Sequence, residues 1–389
     1  MLSGISLVSA IAFANLLPEE TFGFYRFVLS VLGILTLSTL VGMEPSLLRS
    51  VSRGFGNTLY AIMRVRILFG LLGTLGALAI ATYYYLHNNH MLAGAFLLAA
   101  PFIPLLEPLT LYNTFIAGLG QFKAVATNKF IVHSTSLIFL VATLLLTDNL
   151  LFVLAAYLLP LCVMRSLLLV RSIRIYTTQG GTEPGAVRYG FQLSVLKSAL
   201  GVTGHLQQIA LYHFLGPVSV AVYYFANAPI EQVRGTLSNL QTLLFRKTAV
   251  DTWHIGSIRS LLGKLAPSLL VLGGGTIAYI LVAPLLFSVL FPTYIESVLY
   301  TQLLAPAILV TAINMVLQTF AQSKGKVRMQ YAVGIVHILT QILITIPLIA
   351  VYGLTGLVSG IYINKLLNSI TLLVCIFRQK DSDSVYTNK

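Results

Sequence analysis

The chain is a succession of long apolar runs cut at short intervals by proline, glycine and charge. Cutting there leaves twelve segments, at about 2–17, 22–43, 60–86, 91–118, 124–146, 150–173, 189–214, 218–244, 258–290, 297–322, 327–350 and 353–377. A bilayer core of about 30 Å takes about 20 mostly apolar helical residues per crossing. Strand-like alternation over about ten residues is absent, and unpaired backbone cannot sit in hydrocarbon, so the pattern predicts an α-helix in every segment. The first is short, about 24 Å at about 1.5 Å per residue. No Lys or Arg precedes it, so it reads as a membrane helix rather than a signal peptide.

The pattern also repeats. LLPEETFGFYRFVL at 16–29 is echoed by FLGPVSVAVYYFANAP at 214–229, an offset of 198 residues. Aligned on Leu17 and Leu215, the phrases share a breaker (Pro18, Gly216), a small residue (Gly23, Ala221), a tyrosine (Tyr25, Tyr223) and a phenylalanine (Phe27, Phe225). A second echo pairs TFIAGLGQFK at 114–123 with TFAQSKGKVR at 319–328, through Gly120 and Gly325 and the cations Lys123 and Arg328. Both echoes fall at matching span positions, which predicts two parallel six-helix repeats. The expected division is an N-terminal bundle at 1–175, a linker at 176–188 containing GGTEPG, a C-terminal bundle at 189–377 and a tail at 378–389.

Composition fits this picture: 57% of residues are hydrophobic and 9% charged, against about 25% charged in a soluble domain. In or around the even-numbered connections and the closing end lie 23 of the 24 basic residues, with Arg26 the exception. Lys365 is counted with the closing end and Arg66 with the second connection. Because Lys and Arg are retained in the cytoplasm, both termini are expected there. The net charge of +13 follows from this bias and implies no nucleic-acid partner. Cys162 and Cys375 lie in apolar runs and read as packing residues. No phosphate loop or metal-ligand cluster is present, no cofactor is implied, and connections of at most about fifteen residues leave little room for an acceptor-binding domain. The chain does not read as an enzyme.

Polar side chains within spans carry the candidate chemistry, because each is costly in lipid. Ser194, Lys197, Gly201, Gly204, His205, Gln208 and Tyr212 draw one stripe down span seven, either the wall of a water-filled cavity or a close-packing face. Glu231 and Arg234 share a face of span eight with Asn227 one turn above. Arg26, Lys197 and Arg234 would give a wet cleft a cationic lining suited to phosphate or pyrophosphate. Pro101, Pro104 and Pro108 bend span four around Glu107, a candidate for ion coupling or a hydrogen-bond acceptor. Asn314, Gln318 and Gln322 line span ten, facing sugar hydroxyls or other helices. His133 and His337 read as satisfied interior histidines.

LLPEETFGFYRFVLS at 16–30, VGMEPSLLRSVSRG at 41–54 and FLGPVSVAVYYFANAP at 214–229 resemble the Wzx-type oligosaccharide flippases, or polysaccharide biosynthesis proteins, of the multidrug/oligosaccharidyl-lipid/polysaccharide exporter superfamily. The likeness covers the whole chain, in loose motifs. It implies an all-α pair of six-helix bundles in a V, moving an undecaprenyl-pyrophosphate-linked repeat unit across a bacterial inner membrane by alternating access. It also implies membrane lipids, a polysaccharide polymerase and a chain-length regulator as partners. Two alternatives stand beside it: a cation-coupled multidrug antiporter, which generally uses an acid in its first helix where 2–17 has none, and a membrane-embedded sugar-modifying enzyme or polymerase.

Overall fold

A computed structural model describes residues 2–176, 180–250, 258–323 and 327–386, and the described chain is helical with no strand. The first two segments form α1 (Leu2–Leu16) and α2 (Glu19–Thr36), and a short α3 (Glu44–Ser52) lies in the connection before α4 (Thr58–Leu86). The fourth segment is broken into α5 (His90–Ala99), α6 (Ile103–Leu106) and α7 (Leu111–Gly118). Long helices follow: α8 (Phe122–Leu144), α9 (Leu150–Tyr176), α10 (Ala186–Leu215), α11 (Pro217–Val250) and α12 (Ile258–Leu290). The tenth segment holds α13 (Ser297–Leu304) and α14 (Ala307–Ser323). α15 (Val327–Thr340) runs through a π turn at Gln341–Thr345 into α16 (Ile346–Tyr386).

Eight stretches among the described residues are long and apolar enough to cross a bilayer, and the longest, Ala332–Val374, covers the last two of the twelve segments. The first, seventh and eighth segments are helical as α1, α10 and α11. Large apolar side chains such as Leu146, Leu270, Val271 and Leu281 stand outward, which water would penalise and lipid does not. The chain is an all-α polytopic membrane protein.

The interruptions have local causes. Pro101, Pro104 and Pro108 each remove a backbone donor, and short 3-10 turns replace the α-helix at 100–102 and 108–110. Gly353 divides α16 where segments eleven and twelve meet: its φ of 63° and ψ of −137° suit only a residue without Cβ.

The chain divides into two compact units, Met1–Ile209 and Ala210–Lys389. This division falls inside α10, whereas the sequence puts the boundary at 176–188. Ser46 and Ser194 fix the start of α10 to the first unit, donating to the carbonyls of Ala186 at 2.7 Å and Leu40 at 3.1 Å.

The repeated phrase serves packing in each unit. In the first, Leu17, Tyr25 and Phe27 are buried, with Tyr25 5.0 Å from Phe13 and edge-on to Tyr157 between ring centres. In the second, Tyr223 and Phe225 are buried, and Phe225 lies 4.0 Å from Tyr294 and 5.3 Å from Phe291. Ala221 is fully buried, as is Gly23 at the matching position. The breaker at Pro18 or Gly216 separates one helix from the next. The later half of the second echo, from Phe320 through Gly325 and Arg328, lies outside the described residues and side chains.

Candidate functional site

In the first unit, α2 and α10 bring three of the expected residues together. The Arg26 guanidinium donates to Gln208 Oε1 at 3.5 Å, and the Ser30 hydroxyl donates both to the Arg26 carbonyl at 2.8 Å and to the same Gln208 oxygen. One turn along, the His205 imidazole lies against Gly33, where an added Cβ would come within 2.2 Å of the ring. Only glycine leaves that space. Gly201 receives the Leu37 side chain, and Ser198 donates to the Leu37 carbonyl at 3.3 Å. Ser194, Gly201 and His205 of the span-seven stripe therefore form a helix-packing face, while Gly204 is exposed, with nothing within 4 Å of an added Cβ. Lys197 departs from it: its side chain is exposed.

Glu107 sits at the second proline break with its carboxylate 3.9 Å from the Arg66 guanidinium. Arg66 has no exposed surface; its Nε donates to the Thr39 carbonyl at 3.0 Å, and Nη1 and Nη2 have no hydrogen-bond partner among the described residues. Glu107 thus serves as counter-ion to a buried cation. Arg66 lies inside α4, as its place in the third segment predicts, and is sealed from water.

In the second unit, Glu231 and Arg234 pair at 3.2 Å on α11, and Asn227 donates to the Glu231 carboxylate at 3.4 Å. Both charges remain about half exposed. Asn314 of α14 donates to the Lys365 carbonyl at 3.0 Å and accepts from Ser369 at 2.7 Å, so its amide is committed to α16. Gln318 is exposed, and the Gln322 side chain lies outside those described. His337 is satisfied by Asn364 at 2.6 Å, as an interior histidine should be.

Lys365 is the residue the sequence reading misplaces. It is no terminal charge but lies midway along the last crossing, partly buried, its ammonium donating to the Thr311 hydroxyl. Apolar residues run on from it in both directions, so its depth in the segment was a signal available from the sequence. With Arg234 and Glu231, whose charges it feels, it makes a group of two cations and one carboxylate in the second unit.

Outside the spans, the connection from Gly180 to Gly185 is tied to α3 through Glu183. Its carboxylate accepts from Ser50 at 2.5 Å and Arg53 at 3.0 Å, with Arg49 at 4.0 Å. The Ser50 hydrogen bond, followed by the two guanidinium groups, holds the Glu183 carboxyl below the ordinary glutamate value. Among the described residues no group of three or more His, Cys, Asp or Glu has the arrangement of a metal site.

No protein-family model matches the chain, and no curated protein matches it in sequence. Solved structures match its fold along nearly the whole length. A multidrug resistance MATE family transporter of the MOP superfamily, in its inward-facing conformation, superposes with a TM-score of 0.68 at 14% identity, covering 98% of this chain and 96% of its own. An outward-facing MATE transporter of that superfamily gives 0.63 at 16% identity, covering 98% and 95%. A MATE structure in a straight conformation gives 0.64 at 14% identity, covering 100% and 95%. The chain has the fold of the MATE transporters.

Proposed function

We propose that this protein is a transporter working by alternating access, and that its substrate is an undecaprenyl-pyrophosphate-linked oligosaccharide flipped across a bacterial inner membrane. The fold likeness to MATE transporters supports the transport part of this reading. Supporting the substrate class is one observation: the ionisable groups retained within the crossing helices are mainly cations, Arg26, Lys197, Arg234 and Lys365, accompanied by amides and hydroxyls and by few carboxylates. Fixed cations in a low-dielectric surrounding suit an anionic headgroup. In this reading Arg26, Lys197 and Arg234 attract the pyrophosphate or acidic sugars. His205, Gln208, Glu231, Asn314 and Gln318 set the polar environment, and Glu107 takes part in ion coupling through its pairing with Arg66. Membrane lipids surround the protein, and a polysaccharide polymerase and chain-length regulator act downstream.

A second reading, a cation-coupled multidrug antiporter, is favoured by the names of the solved structures that share the fold. Against it, α1 carries no acidic residue. The test is a leaflet-specific assay of lipid-linked oligosaccharide in vesicles containing only this protein. Lys197→Ala and Arg234→Ala, each expressed at the parental level, are expected to lower flipping at least tenfold. Undiminished flipping in both variants removes these residues from the site. Absence of flipping by the parent protein, with cation-dependent efflux of an organic cation instead, establishes the antiporter.

A further inference from the structure

A second binding site lies at the basic end of the first unit, apart from the residues of the proposed transport path. Between the N-terminal third of α4 and the start of α10 is a cavity of about 710 Å³, within the range of ligand pockets, roughly 300–1,000 Å³. Its walls divide by chemistry. Val65 and Phe69 from α4 and Val187 and Phe191 from α10 make the apolar part, with the two phenylalanine rings edge-on at 5.9 Å. Glu183 and Arg188 make the polar part.

This division follows depth. α4 has 29 residues, about 43 Å at 1.5 Å per residue, and so exceeds a hydrocarbon core of about 30 Å. That length leaves room for its first turns, next to the basic connection, to stand at headgroup level with Val65 and Phe69 toward the acyl region. Arg188, in the first turn of α10, lines the same cavity.

The charges also sort. The Glu183 carboxylate is occupied by Ser50, Arg53 and Arg49. Arg49 further lies over the Tyr189 ring, 5.8 Å from its centre. Arg188 is exposed and has no ion-pair partner among the described residues. Two guanidinium groups thus share one carboxylate, and the unpaired Arg188 lines the cavity. Basic pockets between membrane helices, with apolar walls beneath, are the recurrent means of holding anionic lipid headgroups.

We propose that this cavity holds one anionic phospholipid, its phosphate on Arg188 and an acyl chain along Phe69 and Phe191. The lipid would brace the 180–185 connection against α4. This assignment does not depend on what the protein transports.

The test uses the full-length protein in detergent, equilibrated with equimolar dioleoyl phosphatidylglycerol and dioleoyl phosphatidylcholine, with retained lipid counted by native mass spectrometry. One phosphatidylglycerol per chain should be retained in preference to phosphatidylcholine. Arg188→Ala should lower that preference about fivefold, the effect of one cation at a lipid surface. Arg188→Lys should keep it, as should Lys123→Ala, which removes an exposed cation at the start of α8. Equal retention by the parent and Arg188→Ala, or an equal loss in Lys123→Ala, would mean general surface attraction and overturn the site. In a parallel arm, polyprenyl phosphate at equal concentration should leave the phospholipid in place. Its complete exchange for the polyprenyl lipid in the parent, but not in Arg188→Ala, would overturn the phospholipid assignment.

Discussion

Replacing Glu107 with glutamine should destabilise the first unit more than replacing its partner Arg66 with methionine. Glu107→Gln leaves a guanidinium with no exposed surface, held by one hydrogen bond to Thr39 and the weaker influence of Glu44. Arg66→Met leaves a carboxylate that keeps about a third of its surface, 32%, and can hydrate. At the observed 3.9 Å separation, an effective dielectric constant of about 20 puts the attraction near 4 kcal/mol. Screening at the partly exposed carboxylate brings the expected loss to about 2 kcal/mol for Glu107→Gln. Arg66→Met should lose about 1 kcal/mol, mainly the hydrogen bond to Thr39. With both groups gone, the double variant should cost about as much as Arg66→Met alone. Cys162 supplies the probe: it is free and buried, so in a Cys375→Ala background a thiol-reactive dye reports its exposure as the protein is heated. For a unit of this size about 2 kcal/mol corresponds to about 4–8 °C. A midpoint for Glu107→Gln within 1 °C of the parent, or a double variant whose loss equals the sum of the singles, would refute the reasoning.

Two more expectations follow from backbone and charge. Gly353→Ala should cost about 1–3 kcal/mol, because its φ of 63° and ψ of −137° are open only to glycine. The added Cβ itself meets Leu215 only at an ordinary 3.7 Å, so the loss, read by thermal unfolding with circular dichroism, is backbone strain. Gly273→Ala, with nothing within 4 Å of the added Cβ, should be neutral or stabilising, and equal losses in the two variants would contradict this. The lowered Glu183 value means that its anchoring of the connection is fully present above the unfolded glutamate value of about 4.3. It fades as pH falls below that through the folded value. Hydrogen exchange at 180–186, corrected for intrinsic rates, should show protection lost on acidification in the parent and a pH-independent, weaker protection in Glu183→Gln. An unchanged acid dependence in the variant would assign the effect to another group.

Helical, membrane-spanning architecture was legible because lipid admits few solutions: a run of about 20 apolar residues must satisfy its own backbone, and a helix does so locally. Pro101, Pro104 and Pro108 likewise broke span four where they stand, because a missing donor acts at its own turn. The repeated phrase was legible as a repeat, though what Tyr25 and Tyr223 touch was not. Side-chain partners were harder to read. A tally of charge by side groups Arg66 with the second connection and Lys365 with the closing end because it ignores depth and neighbours. The span-seven stripe could be either a cavity wall or a packing face because a small or polar face has the same periodicity whether water or another helix covers it.

The sequence by itself determined the solvent, the helices and their breaks, since these depend on hydrophobicity and backbone chemistry carried within about 20 residues. Only the tertiary structure decided that Gly33 makes room for His205, that Glu107 answers Arg66, that Asn314 binds the backbone at Lys365, and that α4 and α10 enclose a cavity beside Arg188. Each of these contacts joins residues far apart in the chain. Whether a buried polar group is paired, packed or free depends on what the other helix presents to it.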